Sequence, residues 1–187
     1  MVEMTANFER LAQFFHEFGQ LRHLPRSGYA FLGSGRESVA DHSARTAVIA
    51  WALARMTGAD SGRAVLMALF HDLGEARTGD QNYVNRRYVT AREREAVADA
   101  VAGTGLEGEI MALWDEHETG ATPEGRLARD ADQLDLLLNL KRELDCGNPQ
   151  AAAWMDQVET RLRTDEGRCL AAAIRTGGHA DWWLPLV

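Results

Sequence analysis

Ala64-Val65-Leu66-Met67-Ala68-Leu69-Phe70-His71-Asp72-Leu73-Gly74-Glu75-Ala76-Arg77-Thr78-Gly79-Asp80 runs an apolar stretch straight into a histidine and an aspartate. The run predicts a helix with little exposed surface. A histidine at its buried end must be hydrogen-bonded or metal-bound. Imidazole and carboxylate together are the ligand set of a borderline divalent ion. Adjacent helical side chains point about 100° apart, so His71 and Asp72 can share an ion only beside one edge of the helix. Glu75, four residues from His71 and three from Asp72, is expected on the same face. Gly79 is a natural helix stop, which puts Asp80 on the loop beyond it. The pair needs further ligands from elsewhere in the chain.

Upstream, Phe8, Leu11, Phe14, Phe15, Phe18 and Leu21 recur at three- and four-residue steps and predict a helix over 7–21. Pro25 and Gly28 make the next segment, to Arg36, a loop carrying Arg26. Ser38 and Asp41 form a capping-box signature for a helix ending near Met56, with Gly58 as its stop and His42 in its first turn. Asp60 or Ser61 caps the helix that leads into His71.

Downstream, residues 81–89 read as a loop over the site. Thr90 with Glu93 is a second capping-box signature, for a helix to about Ala102. Leu106 to His117 is a helix with Ile110, Leu113 and Trp114 inward. Its acidic end, Asp115-Glu116-His117-Glu118, reads as a charged terminus facing water. Thr122-Pro123 opens a long helix by N-cap and N1 proline. On it Asp132 lies close to the buried stripe, while Asp130 and Asp135 are expected to be solvated. A buried aspartate there costs several kcal/mol unless paired or bound to a cation. Asn148-Pro149 restarts a helix to about Arg163, and Thr164 or Asp165 opens a last one to Ile174. The apolar tail Trp182-Trp183-Leu184-Pro185-Leu186-Val187 either folds back on the core or joins a subunit contact. No segment reads as a strand, so the fold class is all-α.

At 187 residues the chain is read as one domain, 1–187. The motif-bearing core covers about 8–142, with C-terminal helices and tail over about 149–187. A formal net charge of -8 argues against coating a nucleic-acid polymer, though not against a small phosphorylated ligand. Cys146 and Cys169, with no signal peptide, point to a reducing cytoplasm rather than a disulfide framework. No apolar stretch approaches the ~20 residues that cross a bilayer, so no membrane partner is expected.

Four residues on three helices now stand out: His42, His71, Asp72 and Asp132, the pattern H…HD…D. A bare His-Asp dipeptide carries no signal; the full pattern with each member on a helix carries much more. With these motifs the sequence resembles the HD-domain metal-dependent phosphohydrolases, and within them the YfbR-like 5′-nucleotidase branch. Glu37-Ser38-Val39-Ala40-Asp41-His42 resembles that branch's first-ligand motif, and His71-Asp72-Leu73-Gly74-Glu75 with Thr78-Gly79-Asp80 its central motif. Ala131-Asp132-Gln133-Leu134-Asp135 resembles its last-ligand motif, and Pro25-Arg26-Ser27-Gly28-Tyr29 its phosphate-contacting loop. The likeness covers roughly 8–142 and weakens beyond.

The resemblance implies a single helical HD bundle in which His42, His71, Asp72 and Asp132 hold one divalent ion per chain: Mn, Co, Ni, Fe, Zn or Mg. It implies hydrolysis of nucleoside 5′-monophosphates, possible preference for deoxyribonucleotides, and a homodimer. Glu75 would move a proton, Arg26 would bind phosphate oxygens, and Asp80 would contact the sugar or act beside the metal. Arg45, one turn after His42, is a supporting candidate. One departure matters: bacterial members carry tryptophan directly after the phosphate arginine, where this chain has Ser27, with Tyr29 its nearest aromatic. A sugar preference therefore does not carry over. Two rival readings remain: an HD hydrolase of a triphosphate, cyclic dinucleotide or alarmone, and a non-catalytic metal-containing helical module. Against the first, the chain is expected to lack the large basic pocket a polyphosphate would want.

Overall fold

The computed structural model describes residues 7–187, so the first six of the 1–187 domain reading lie outside the described residues. The elements are α1 (Phe8–Phe18), α2 (Tyr29–Leu32), α3 (Val39–Thr57), α4 (Ser61–Phe70), α5 (Glu75–Thr78), α6 (Glu93–Val101), α7 (Glu107–Thr119), α8 (Pro123–Asp145), α9 (Gln150–Glu159) and α10 (Asp165–Thr176). Short 3₁₀ turns lie at Gly19–His23, Asn85–Arg87 and Leu184–Leu186. There is no strand among the described residues; Pro25 and Ser38 form one isolated antiparallel bridge.

Local chemistry sets most boundaries. Ser38 and Asp41 close the expected capping box on α3, and Gly58 ends that helix at φ 78°, where a side chain would be strained. Asp60 caps α4, Thr122 with Pro123 starts α8, and Thr164 caps α10. The second expected box does not form. α6 begins at Glu93 behind Arg92, with no side-chain cap, and Thr90 is left outside. The Glu93 carboxylate instead faces the cavity described below, which removes it from the reciprocal bond a box requires.

α8 is the axis of the molecule. It packs against α3, α4 and α7, and also against α9 and α10. Leu127, Ala131, Leu134, Leu137 and Leu140 join Leu53, Ala50 and Met155 in the main core. A second cluster, Phe14, Leu73, Val97, Ile110 and Trp114, fills the space under α1, α6 and α7. Being covered on several sides, α8 has no single polar face, and this overturns the expectation for its aspartates. Asp130 and Asp135 are both 0% exposed, while the Asp132 side chain keeps 23%.

Asp130 serves the chain path. Its carboxylate accepts from the backbone N–H of Arg163 and Thr164 (2.8 Å each) and from the Thr164 hydroxyl (2.6 Å). This pins the turn between α9 and α10 to α8. Asp130→Ala is expected to cost about 2–3 kcal/mol by leaving these donors unpaired, or roughly 4–12 °C in Tm for a chain this size. Thermal unfolding by circular dichroism reads it; an unchanged Tm would mean the turn is held by other contacts.

The C-terminal tail does not fold back on the core. Trp182, Leu184, Leu186 and Val187 are all exposed. No helix among the described residues is long and apolar enough to cross a membrane.

Candidate metal centre and its cavity

The apolar run forms α4 as expected, but the helix stops at Phe70 and the His-Asp pair lies on the turn that follows. The cause is visible in the hydrogen bonds. The Trp114 indole N–H donates to the His71 carbonyl at 3.0 Å. In a continuing α-helix that carbonyl would receive Glu75 N–H, which bonds Asp72 O instead (3.0 Å). Leu73, Ala76 and Arg77 likewise bond three residues back. Three residues per turn eclipse positions i and i+3, so Asp72 and Glu75 share a side by tightening rather than by α-helical spacing, and the expected His71–Glu75 alignment is lost. Gly74 lets this turn approach α6: a Cβ there would stand 2.9 Å from the Glu93 carbonyl.

The first helix delivers its ligand differently. Arg26 N–H donates to Glu37 O and Val39 N–H to Leu24 O, both at 2.9 Å, so the Arg26 loop is strapped to the start of α3. His42 lies in that first turn, 0% exposed. Its Nε2 is 3.3 Å from His71 Nε2, 3.2 Å from Asp132 Oδ1 and 3.6 Å from Asp72 Oδ2; His71 Nε2 is 3.1 Å from the same Asp72 oxygen. The other ring nitrogens are occupied: His42 Nδ1 bonds Asp135 Oδ2 at 2.6 Å, and His71 Nδ1 bonds Ala68 O at 2.8 Å. With Nδ1 donating in each ring, both Nε2 lone pairs face one point, beside two carboxylate oxygens. Such a set repels itself unless a proton or a metal cation sits among its members. Donor spacings of 3.1–3.6 Å are what an ion bound at about 2.1 Å requires of neighbouring ligands. His42, His71 and Asp72 therefore fit a divalent ion, and Asp132 stands beside them through its contact with His42.

The field of the pocket agrees. Burial works against charging the imidazoles, but Asp72 prevails at His71, whose pKa is pushed up to about 9. Asp72 and Asp132 are held well below the usual carboxylate range, the two histidines outweighing desolvation. Asp135 is no solvated residue: it accepts from His42 and from Arg45 Nε at 2.5 Å, and Arg45 also reaches Glu37 at 3.0 Å. A carboxylate behind a ligating histidine fixes its tautomer and ring orientation.

Arg26 Nη1 stands 3.0 Å from Asp72 Oδ2. Asp80 accepts from the backbone N–H of Ser27, so the loop bearing Arg26 is tied to the loop after α5. Glu75 is buried, and its Oε2 has no hydrogen-bond partner. Desolvation first, then the charges of Asp72 and Asp80, push its pKa up to about 9. It is near these residues but does not line the cavity.

That cavity, about 570 Å³, opens over His71, Asp72 and Asp132. Several of its lining residues escaped the sequence reading. His117, expected in water, is 4% exposed; its ring centroid is 5.0 Å from that of His71, and its Nε2 has no partner. Burial keeps this imidazole neutral. The signal was available, since His117 is four residues past Leu113 and three past Trp114, both read as inward. Trp154 on α9 lines the cavity and lies against Gly28, where a Cβ would sit 3.6 Å from its ring. Nothing local to α9 announces this. The lining also includes Arg26, Arg86, Arg129, Arg161 and Arg163, which the sequence reading did not gather, set against the carboxylates of Asp72, Asp80, Glu93, Glu118 and Asp132. These arginines come from four separate stretches and only the fold gathers them.

Comparison with known proteins gives the family of the fold. The family model described as HD domain matches residues 18–173, well past the 8–142 stretch in which the motifs lie. The 5′-deoxynucleotidase HDDC2 of Danio rerio is 31% identical over 136 residues, covering 70% of this chain and 68% of its own. The protein of the same name from Bos taurus is 32% identical over 144 residues, covering 74% and 70%. Among solved structures, a predicted metal-dependent phosphohydrolase from Magnetospirillum magnetotacticum superposes with a TM-score of 0.72 at 27% identity, over 90% of this chain and 93% of that one.

Proposed function

We propose that this chain, which belongs to the HD domain family, is a metal-dependent 5′-nucleotidase that hydrolyses nucleoside 5′-monophosphates to nucleoside and phosphate. The observation that carries the reading is the meeting of donors from His42, His71 and Asp72, with Asp132 reaching His42 at 3.2 Å, directly beside the Arg26 guanidinium. These four residues would hold one divalent ion per chain. Bound there, it supplies positive charge against the phosphate and acidifies water enough for attack at neutral pH.

The side chains do the rest. Arg26, kept protonated by Asp72, Asp132, Asp80 and Glu75 in spite of burial, grips phosphate oxygens by a two-pronged contact. The water oxygen bonds to phosphorus, the bond from phosphorus to O5′ breaks, and the water's proton ends on O5′ of the nucleoside. Glu75 moves that proton. Burial and two neighbouring carboxylates favour its protonated form, and a cation nearby would draw it back toward neutrality, the range a group that both gives and takes a proton needs. Asp80 serves the sugar side while holding Ser27 and so the Arg26 loop. The exposed tail Trp182–Val187 offers apolar surface to a second copy in a homodimer, and the free, exposed Cys146 and Cys169 suit a reducing cytoplasm.

The test is phosphate release from a panel of ribo- and deoxyribonucleoside 5′-monophosphates, with protein stripped of metal and reloaded with Mn, Co, Mg or Zn. Release is expected only after reloading, and the panel reads the sugar preference that Ser27 leaves open. A metal-loaded protein inert on every member would sink the reading.

A further inference from the structure

Two of the five arginines of the cavity stand on one turn. Arg161 and Arg163 flank Leu162, which is buried in the main core. The backbone N–H groups of Arg163 and Thr164 are held by Asp130. That buried carboxylate spends its acceptors on backbone and a hydroxyl, none on a guanidinium. Arg161 lies over the Tyr83 ring, 4.7 Å from its centroid, with Nη1 bonded to the Tyr83 hydroxyl and 3.3 Å from Gln133 Oε1. Arg163 lies against Gly120, at φ 59°, where any Cβ would collide with its guanidinium. Arg129 touches the same glycine and is spent on the carbonyls of His117 and Glu118.

Among the described residues neither Arg161 nor Arg163 has a carboxylate within salt-bridge distance, in a chain of net charge -8. Of the other arginines of the cavity, Arg26 and Arg129 each have a carboxylate within reach, Asp72 and Glu118. A nucleoside 5′-monophosphate has one dianionic group, which Arg26 and the bound ion would already engage on that reading. The two guanidinium groups, on a turn whose backbone is held by Asp130, offer a further anion a site on the same cavity.

We propose that Arg161 and Arg163 form a second anion subsite, and that the preferred substrate is a nucleotide bearing a second phosphate. This rests on the 5′-nucleotidase reading and narrows its substrate class. The second phosphate is either on the sugar, in a 3′,5′-bisphosphate, or in line with the first, in a 5′-diphosphate. The guanidinium forks suit phosphate oxygens, and their pinned turn spares the ordering cost of binding.

The experiment is calorimetric binding to the full-length, metal-loaded Glu75→Gln protein of three ligands: deoxyadenosine 5′-monophosphate, its 3′,5′-bisphosphate and its 5′-diphosphate. The expected result is that one of the last two binds at least about tenfold tighter than the monophosphate, as a charge-assisted pair of contacts allows. Which one does so identifies the source of the second phosphate. In the Arg161→Ala/Arg163→Ala double variant that excess is lost, while monophosphate affinity changes by less than about twofold. Both side chains are exposed, so the fold is expected to survive, and an unchanged Tm checks it. Equal affinities for all three ligands overturn the proposal. So does an equal loss for all three in the double variant, which would make the arginines general steering charges or a base platform. Failure of the 5′-nucleotidase reading shows elsewhere, as absence of phosphate release by the unmutated chain, and leaves the affinity ratio readable.

Discussion

Glutamine in place of Glu75 is expected to cut phosphate release by about 10²–10⁴-fold, the usual worth of a placed proton carrier, with helix and metal content unchanged. Glutamine keeps the volume and polarity of the side chain but cannot carry the proton. The position is buried and has an unpartnered carboxyl oxygen, so the substitution breaks no hydrogen bond at Oε2. Turnover within a few-fold of the parent would remove Glu75 from the chemistry. A second readout is independent of activity. The metal-free fold keeps the Glu75 proton up to about 9, whereas an unperturbed carboxyl loses it near 4.5. Between those values the folded chain binds more protons than the unfolded one, so stability falls as pH rises. Glutamine lifts that penalty. Metal-free Glu75→Gln protein is expected to melt above its metal-free parent at about pH 8 and level with it near pH 4. Equal melting at both would mean the carboxyl is ionised inside the fold.

The second large effect separates two aspartates three residues apart. Asp132→Asn is expected to remove a metal donor and lower activity by about 10³-fold, several kcal/mol of charge stabilisation being lost. Asp135→Asn should leave all four donors in place and weaken metal affinity by about 10–100-fold. Its mechanism is indirect: Asp135 fixes the His42 ring through Nδ1 and is itself braced by Arg45. Metal titration of both variants checks this. Equal affinities for Asp135→Asn and the parent would reduce Asp135 to a structural partner of Arg45.

That contrast also marks what could be read from the residues alone. The starts of α3, α4, α8 and α10 were legible because each is decided by a cap within four residues of the boundary. The four candidate donors could be singled out because each lies on or just beyond a well-punctuated helix. The order of burial among Asp130, Asp132 and Asp135 was not. A periodicity argument assumes one wet face, and α8 is enclosed by helices from both ends of the chain. His117 was lost to the charges around it, although its spacing from Leu113 and Trp114 pointed inward. Trp154, Arg161 and Arg163 reach the cavity only because α9 docks on α8. No pattern within α9 contains that information. The break after Phe70 likewise depends on Trp114, more than forty positions downstream.

Asp130 and Asp132 share one helix, the first fastening the α9–α10 turn and the second facing the metal centre. The wall that carries Arg161 and Arg163 is thereby geared to the floor of the cavity, and cannot swing away without dragging a ligand with it. The opposite wall is held by part-buried and exposed contacts, among them Asp80 to Ser27 and Tyr83 to Arg161: from Ala76 to Glu95 no residue is buried. Local opening is expected to cost least on that side, where few buried contacts resist it. The enzyme would work as a door with one hinged leaf, the rigid leaf holding the charge that recognises the visitor and the loose leaf setting how fast it leaves.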